Sequence, residues 1–101
     1  MAIVDRKVWE LNSGPSTPLG HQKVTVSSTA QALPSIPAQA RRAVIRPLLD
    51  AITYRDDGTD PTATTGFPIL KDEVFVYDGD LATFKMIRIT IDADVRIVYY
   101  G

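Results

Sequence analysis

Between Arg41 and Gly66 the chain reads RRAVIRPLLDAITYRDDGTDPTATTG: two short apolar runs with a period of two, a break between them, and a long polar turn. A helix of several turns has no room in the break, where Leu48-Leu49-Asp50 must reverse the chain before the second run. In the second run Ile52 and Tyr54 alternate with Ala51, Thr53 and Arg55, so one set of side chains meets a core and the other meets water. Asp56-Asp57-Gly58 stops this strand, since Asp and Gly accept the left-handed backbone of a tight turn. Pro61 lacks an amide donor and fixes its own φ, so the segment up to Gly66 is expected as an exposed loop.

The rest of the chain repeats this grammar. In Gln22 to Ser28, QKVTVSS, Val24 and Val26 point inward and Lys23, Thr25 and Ser27 outward. The following TAQALPSIPAQA carries Pro34 and Pro37, which rule out a central strand and a full helix alike. It should cross between sheets, with Leu33 and Ile36 closing the core from the side. Arg42 to Arg46 places Ala43 and Ile45 on one face and Val44 on the other; Pro47 is expected to end that strand, and Leu48-Leu49-Asp50 to reverse the chain. Phe67 to Leu70 reads as an edge segment because of Pro68, and Val74 to Tyr77 as a strand before the Asp78-Gly79-Asp80 turn. Ala82 to Phe84 forms a helical turn or a corner. Met86 to Ile91 has the clearest alternation and predicts Ile87, Ile89 and Ile91 inside. Asp92-Ala93-Asp94 then predicts a hairpin into Val95 to Tyr100, with Val95, Ile97 and Tyr99 facing the core.

Seven or so short strands at roughly 8–12-residue spacing define an all-β fold, a two-sheet antiparallel sandwich or jelly roll. A chain of 101 residues supports one such core. Ahead of it, Ile3, Val4, Val8, Trp9 and Leu11 are interleaved with Asp5, Arg6, Lys7 and Glu10, and NSGPSTPLG follows with two Gly and two Pro. Residues 1–20 therefore read as an extended N-terminal arm and linker, and residues 21–101 as the sandwich domain. An arm of this kind adds contact area with a partner without enlarging the core.

Composition narrows the chemistry. Eleven Lys and Arg against twelve Asp and Glu give a formal charge of -1, leaving no basic surplus for nucleic acid or anionic lipid. No apolar run approaches the length of a membrane span, and charge enters at Asp5, before a signal-peptide core has formed. The expected place of synthesis is the cytoplasm of the producing cell. The absence of Cys removes disulfides, thiolate metal sites and thiol nucleophiles. His21 stands alone at the end of the linker, where a zinc site needs three or four ligands, and no G-x-S-x-G elbow surrounds any Ser. The acidic pairs Asp56-Asp57, Asp78-Asp80 and Asp92-Asp94 match no calcium-loop spacing and serve turns; the six Gly are too scattered for a phosphate loop. The reading is a non-enzyme without cofactor, metal or catalytic residue. Tyr77, Tyr99, Tyr100, Trp9 and Phe67 are the residues a sugar site would use, though aromatics in a small sandwich more commonly serve core or interface.

The run ARRAVIRPLLDAITYRDDGTDPTATTGFPILKDEVFVYDGDLATFKMIRI resembles small virion proteins of tailed bacteriophages. Their pattern is an arginine-flanked strand, aromatic-Arg-Asp-Asp-Gly, Pro-Thr, Gly, then a turn and a final strand pair. The likeness extends over about residues 22–100, and its most specific part is Tyr54-Arg55-Asp56-Asp57-Gly58 with Pro61-Thr62 and Gly66. Pro47-Leu48-Leu49 departs from the plain Gly or Ala usual after the first strand. The resemblance implies a capsid decoration or cement protein residing in the virion, a dimer or trimer that binds the major capsid protein or other virion proteins. A collar or tail accessory protein and a carbohydrate-binding module are the alternatives. The expected partner-binding residues are Ile3, Val4, Val8, Trp9 and Leu11 of the arm, with Arg55, Asp56 and Asp57 of the turn.

Overall fold

The computed structural model of the chain describes residues 17–101. Eight strands follow one another: β1 (Pro18–Val26), β2 (Gln31–Ala32), β3 (Arg42–Leu48), β4 (Ile52–Arg55), β5 (Phe67–Ile69), β6 (Phe75–Tyr77), β7 (Lys85–Arg88) and β8 (Ala93–Tyr100), with a 3₁₀ turn at Leu81–Thr83. They form two four-stranded sheets, in the order β1-β8-β3-β6 and β2-β7-β4-β5, and every pairing is antiparallel. This is the strand order of a jelly roll, in which every connection but one, residues 56–66, passes from one sheet to the other.

The connections gather at two ends. Residues 27–30, 49–51, 70–74 and 89–92 meet at one, and residues 33–41, 56–66 and 78–84 at the other. Backbone bonds lace the first: Arg88 N–H donates to the Ser27 carbonyl at 3.1 Å, and Asp72 N–H to the Pro47 carbonyl at 2.8 Å.

The core lies between the sheets. β8 sends Ala93, Val95, Ile97 and Tyr99 inward beside Ala43, Ile45 and Pro47 of β3, and they meet Ile52, Ile69, Phe84 and Met86 from the second sheet. Each large side chain so buried contributes about 1.5–3 kcal/mol before ordering entropy is charged against it. The Tyr99 hydroxyl donates to the Pro34 carbonyl at 2.6 Å, so a phenol sits in the core without an unmet bond, while burial pushes its pKa to about 12. Leu33 is buried and Ile36 packs against the core from the side, as expected.

Four expectations are corrected. The first strand begins at Pro18, inside the stretch read as linker, because Pro18 to Gly20 pair with Tyr100 and Tyr99 across a bulge. Pro47 does not end β3; it lies opposite Val95. Its carbonyl points toward Asp72, and a residue's amide and carbonyl point the same way along a strand. The donor that proline lacks would therefore point beyond the short strand β6, where no ladder asks for it. In β7 the buried residue is Met86; Ile87 is half-buried, and Ile89 and Ile91 lie exposed beyond the strand. Finally, β7 and β8 belong to different sheets, so residues 89–92 are a crossing and not a hairpin turn.

Candidate functional site

At the exit of β4 the period of two aims Tyr54 between the sheets and leaves Arg55 at the rim. Tyr54 stacks on Phe84, with centroids 4.6 Å apart and planes at 15°, and lies 5.2 Å from Phe75 and 6.2 Å from both Phe67 and Tyr77. Tilted and edge-on ring pairs of this kind fix one another's orientation beyond their area burial. The backbone then turns through Gly58, whose φ of 82° belongs to the left-handed region. Arg55 forks onto Asp57, Nε donating to Oδ1 at 3.2 Å and Nη2 to Oδ2. That guanidinium bond, helped by the Thr59 amide, holds the Asp57 carboxyl down to about 2. The Asp56 Oδ2 accepts the Tyr77 hydroxyl at 3.0 Å, and the Asp56 carbonyl accepts the Thr83 hydroxyl at 2.9 Å. Desolvation first, and the Asp56 carboxylate second, raise the Tyr77 phenol to about 12.

The returning leg of the loop closes the site. Gly66 has a φ of 140°, and a Cβ there would stand 2.6 Å from Thr53 Cγ2 and 2.7 Å from the Tyr54 carbonyl, so only glycine lets the loop lie against β4. The same approach covers Thr53, which is buried although its parity had suggested the wet face. Tyr54, Arg55, Asp56, Asp57, Gly66 and Phe67 line an open cleft of about 190 Å³. Phe67 is 69% exposed on its rim. An aromatic face beside a carboxylate and a guanidinium is an arrangement for holding a polar ligand or a partner's side chain.

The opposite end is apolar. Leu49 (64% exposed), Leu70 (63%), Val74 (59%) and Ile91 (53%), with Ile89, stand on three neighbouring connections. Their backbones are fastened by carboxylates: Asp50 accepts the amides of Ala51, Thr90 and Ile91 at 2.8, 2.7 and 2.8 Å, and Glu73 accepts that of Leu70 at 2.8 Å. Desolvation works to raise the Asp50 pKa, yet the backbone donors outweigh it and the net shift is downward. Leu49 takes a positive φ of 76°, an unusual conformation for a branched side chain and one that places it in solvent.

Of the residues picked out in the sequence, Arg55, Asp56 and Asp57 are brought together in the cleft; Ile3, Val4, Val8, Trp9 and Leu11 lie outside the described residues. The aromatic set divides, with Phe67 and Tyr77 at the cleft and Tyr99 in the core. His21 sits on the outer surface of β1. Among the described residues no three His, Cys, Asp or Glu side chains cluster as metal ligands, and no helix is long and apolar enough to cross a membrane. Sequence reasoning missed Tyr54 as the hub of the aromatic cluster and Asp50 as the clasp of the 89–91 crossing. The signal for the second was present, since an Asp directly after a strand is a ready acceptor for nearby amides. Comparison of the chain with protein-family models, with curated proteins and with solved structures returned no match.

Proposed function

We propose that the protein is a structural component of a bacteriophage virion, a decoration or cement protein that docks on the major capsid lattice through its apolar end. The observation that supports this is the group of exposed large apolar side chains on three neighbouring connections, Leu49, Leu70, Val74, Ile89 and Ile91. Solvent-facing apolar surface concentrated in one place marks a contact with another macromolecule. Its backbone is tied down by Asp50 and Glu73, so docking costs little ordering entropy. Jelly rolls serve widely as capsid and lectin modules, which agrees with the resemblance around Tyr54 to Gly66 but by itself is an analogy of fold. In this reading the residues ahead of β1 are a second docking element, and no reaction is carried out.

Cryo-electron microscopy of the intact particle tests the proposal: density for the jelly roll is expected on the head with Leu49 and Ile91 toward the capsid. Hundreds of copies per virion indicate decoration, a dozen or fewer a collar or tail position, and absence from mature particles overturns the reading. Leu49→Ser with Ile91→Ser should leave a folded protein that no longer decorates heads, and removal of residues 1–11 should weaken decoration.

One observation favours a second reading, a carbohydrate-binding module: exposed Phe67 adjoins Arg55 and Asp56 in a cleft at the end opposite the apolar loops. A glycan array with wild type and Phe67→Ala separates the two; glycan binding that disappears with the ring supports the module.

A further inference from the structure

The outer face of the first sheet carries charges that work against its own folding. Lys23 of β1 is opposite Arg96 of β8, and Arg96 is opposite Arg46 of β3, so three cations stand side by side across three strands. All three are exposed. Like charges directly opposite one another destabilise a sheet. Among the described residues the carboxylate bonded within this row is Asp94, which engages Arg96 through two bonds of 3.0 Å and attracts Lys23 without an ion-pair contact, while Arg46 has no ion pair. Two residues along, Val98 lies between His21 and Val44, and Val44 faces Val76, which places an apolar band beside the cations. A shallow depression of about 260 Å³ opens between β1 and β8, bounded by His21, Lys23, Arg96 and Val98 among others. A sheet face that keeps a repulsive row next to an apolar band fits a surface completed by an acidic, partly apolar partner.

The chain itself owns such a surface. At the end formed by residues 56–66 and 78–84, Asp56, Asp78 and Asp80 have no ion pair among the described residues, while Asp57 and Asp60 hold Arg55 and Lys85. Exposed Phe67 shares the cleft with Asp56 and Asp57. We propose that copies of this chain associate head to tail, the acidic end of one seated on the Lys23–Arg96–Arg46 row of the next. Two copies cannot join through the cationic face alone, because a two-fold axis would set the row against itself. The contact is heterologous and generates a ring where the rotation closes. This inference holds whether or not the protein resides on a phage head.

Sedimentation of the full chain tests it. Wild type should self-associate at about 50 mM salt and dissociate toward monomer at about 500 mM, where screening is short-ranged. Arg46→Glu and Asp78→Lys, each alone, should weaken association about tenfold or more. Mixed one to one, they should assemble again, because the intact surface of each meets the intact surface of the other and the reversed surface of each meets the oppositely reversed surface of the other; for the second of these reasons the double variant, with both charges reversed, should also regain assembly. Arg46→Glu also sets a carboxylate opposite Arg96, so its melting temperature should hold or rise while assembly is lost, separating a docking role from a structural one. A wild type that stays monomeric at low salt, association indifferent to both reversals, or a cationic row that instead retains DNA with no self-association overturns the proposal.

Discussion

The two ends of the jelly roll are each organised by an aspartate that follows a strand, and they use it differently. Asp50, after β3, accepts three backbone amides, which engage both of its oxygens. Asp56, after β4, accepts one phenol on Oδ2 and faces an open cleft. At the first end the carboxylate stiffens a scaffold from which apolar side chains project into water. At the second an aromatic floor gives the stiffness, and the carboxylate is left on the surface. A polar side chain is available to a partner to the extent that the fold has not already spent its acceptors.

The largest effect should come from the floor. Phe84 is fully buried and stacked on Tyr54, so Phe84→Ala should lower stability by about 3–5 kcal/mol in urea melts. A loss under about 1 kcal/mol would mean the aromatic cluster does not hold the Asp56 end. Asp50→Ala should cost about 2 kcal/mol, because it strips acceptors from the 89–91 crossing; faster amide exchange at Thr90 and Ile91 should accompany it. Asp56→Asn should cost less than about 1 kcal/mol, since the site is solvent-facing. Its clearer mark is spectroscopic. The phenols of Tyr77 and Tyr99 are both raised to about 12, so the stability they contribute is present below their ordinary value of 10.0 and is lost as pH climbs toward 12. In Asp56→Asn one of the two late phenolate steps should move to lower pH, though not fully, because desolvation of Tyr77 persists. The smallest effect belongs to Asp57, whose folded pKa of about 2 lies below the ordinary 3.8. Its contribution is present above 3.8 and fades as pH falls through 2, and Arg55→Gln should remove most of that acid dependence from the melting curve, the Thr59 amide keeping the rest.

How far these features could be read beforehand differs from strand to strand. β8 was legible because one parity of it is buried from end to end, so its inner set, Val95, Ile97 and Tyr99, could be read directly from the alternation. β7 was not. Ile87, Ile89 and Ile91 alternate as convincingly as any strand, yet the chain must leave the second sheet after Arg88 to reach the first, and that departure places two of the three in a connection. Periodicity reports alternation within a segment; it does not say where a strand stops or which parity faces the core. Arg55, Asp56 and Asp57 were recognisable as a turn from their residue types, whereas the Tyr77 hydroxyl that engages Asp56 comes from 21 residues downstream. The row of Lys23, Arg96 and Arg46 was equally hidden, since it exists only once the register of three strands is known.

The register of β1 against β8, from Pro18 with Tyr100 to Val26 with Ala93, has a consequence for biosynthesis. Among the described strands the earliest of the jelly roll borders only the latest, so a nascent polypeptide carries an unpaired edge on β1 until residue 100 has cleared the ribosome and the first sheet can be completed. A chain stalled a few codons short of that point would be left with a template open to aggregation.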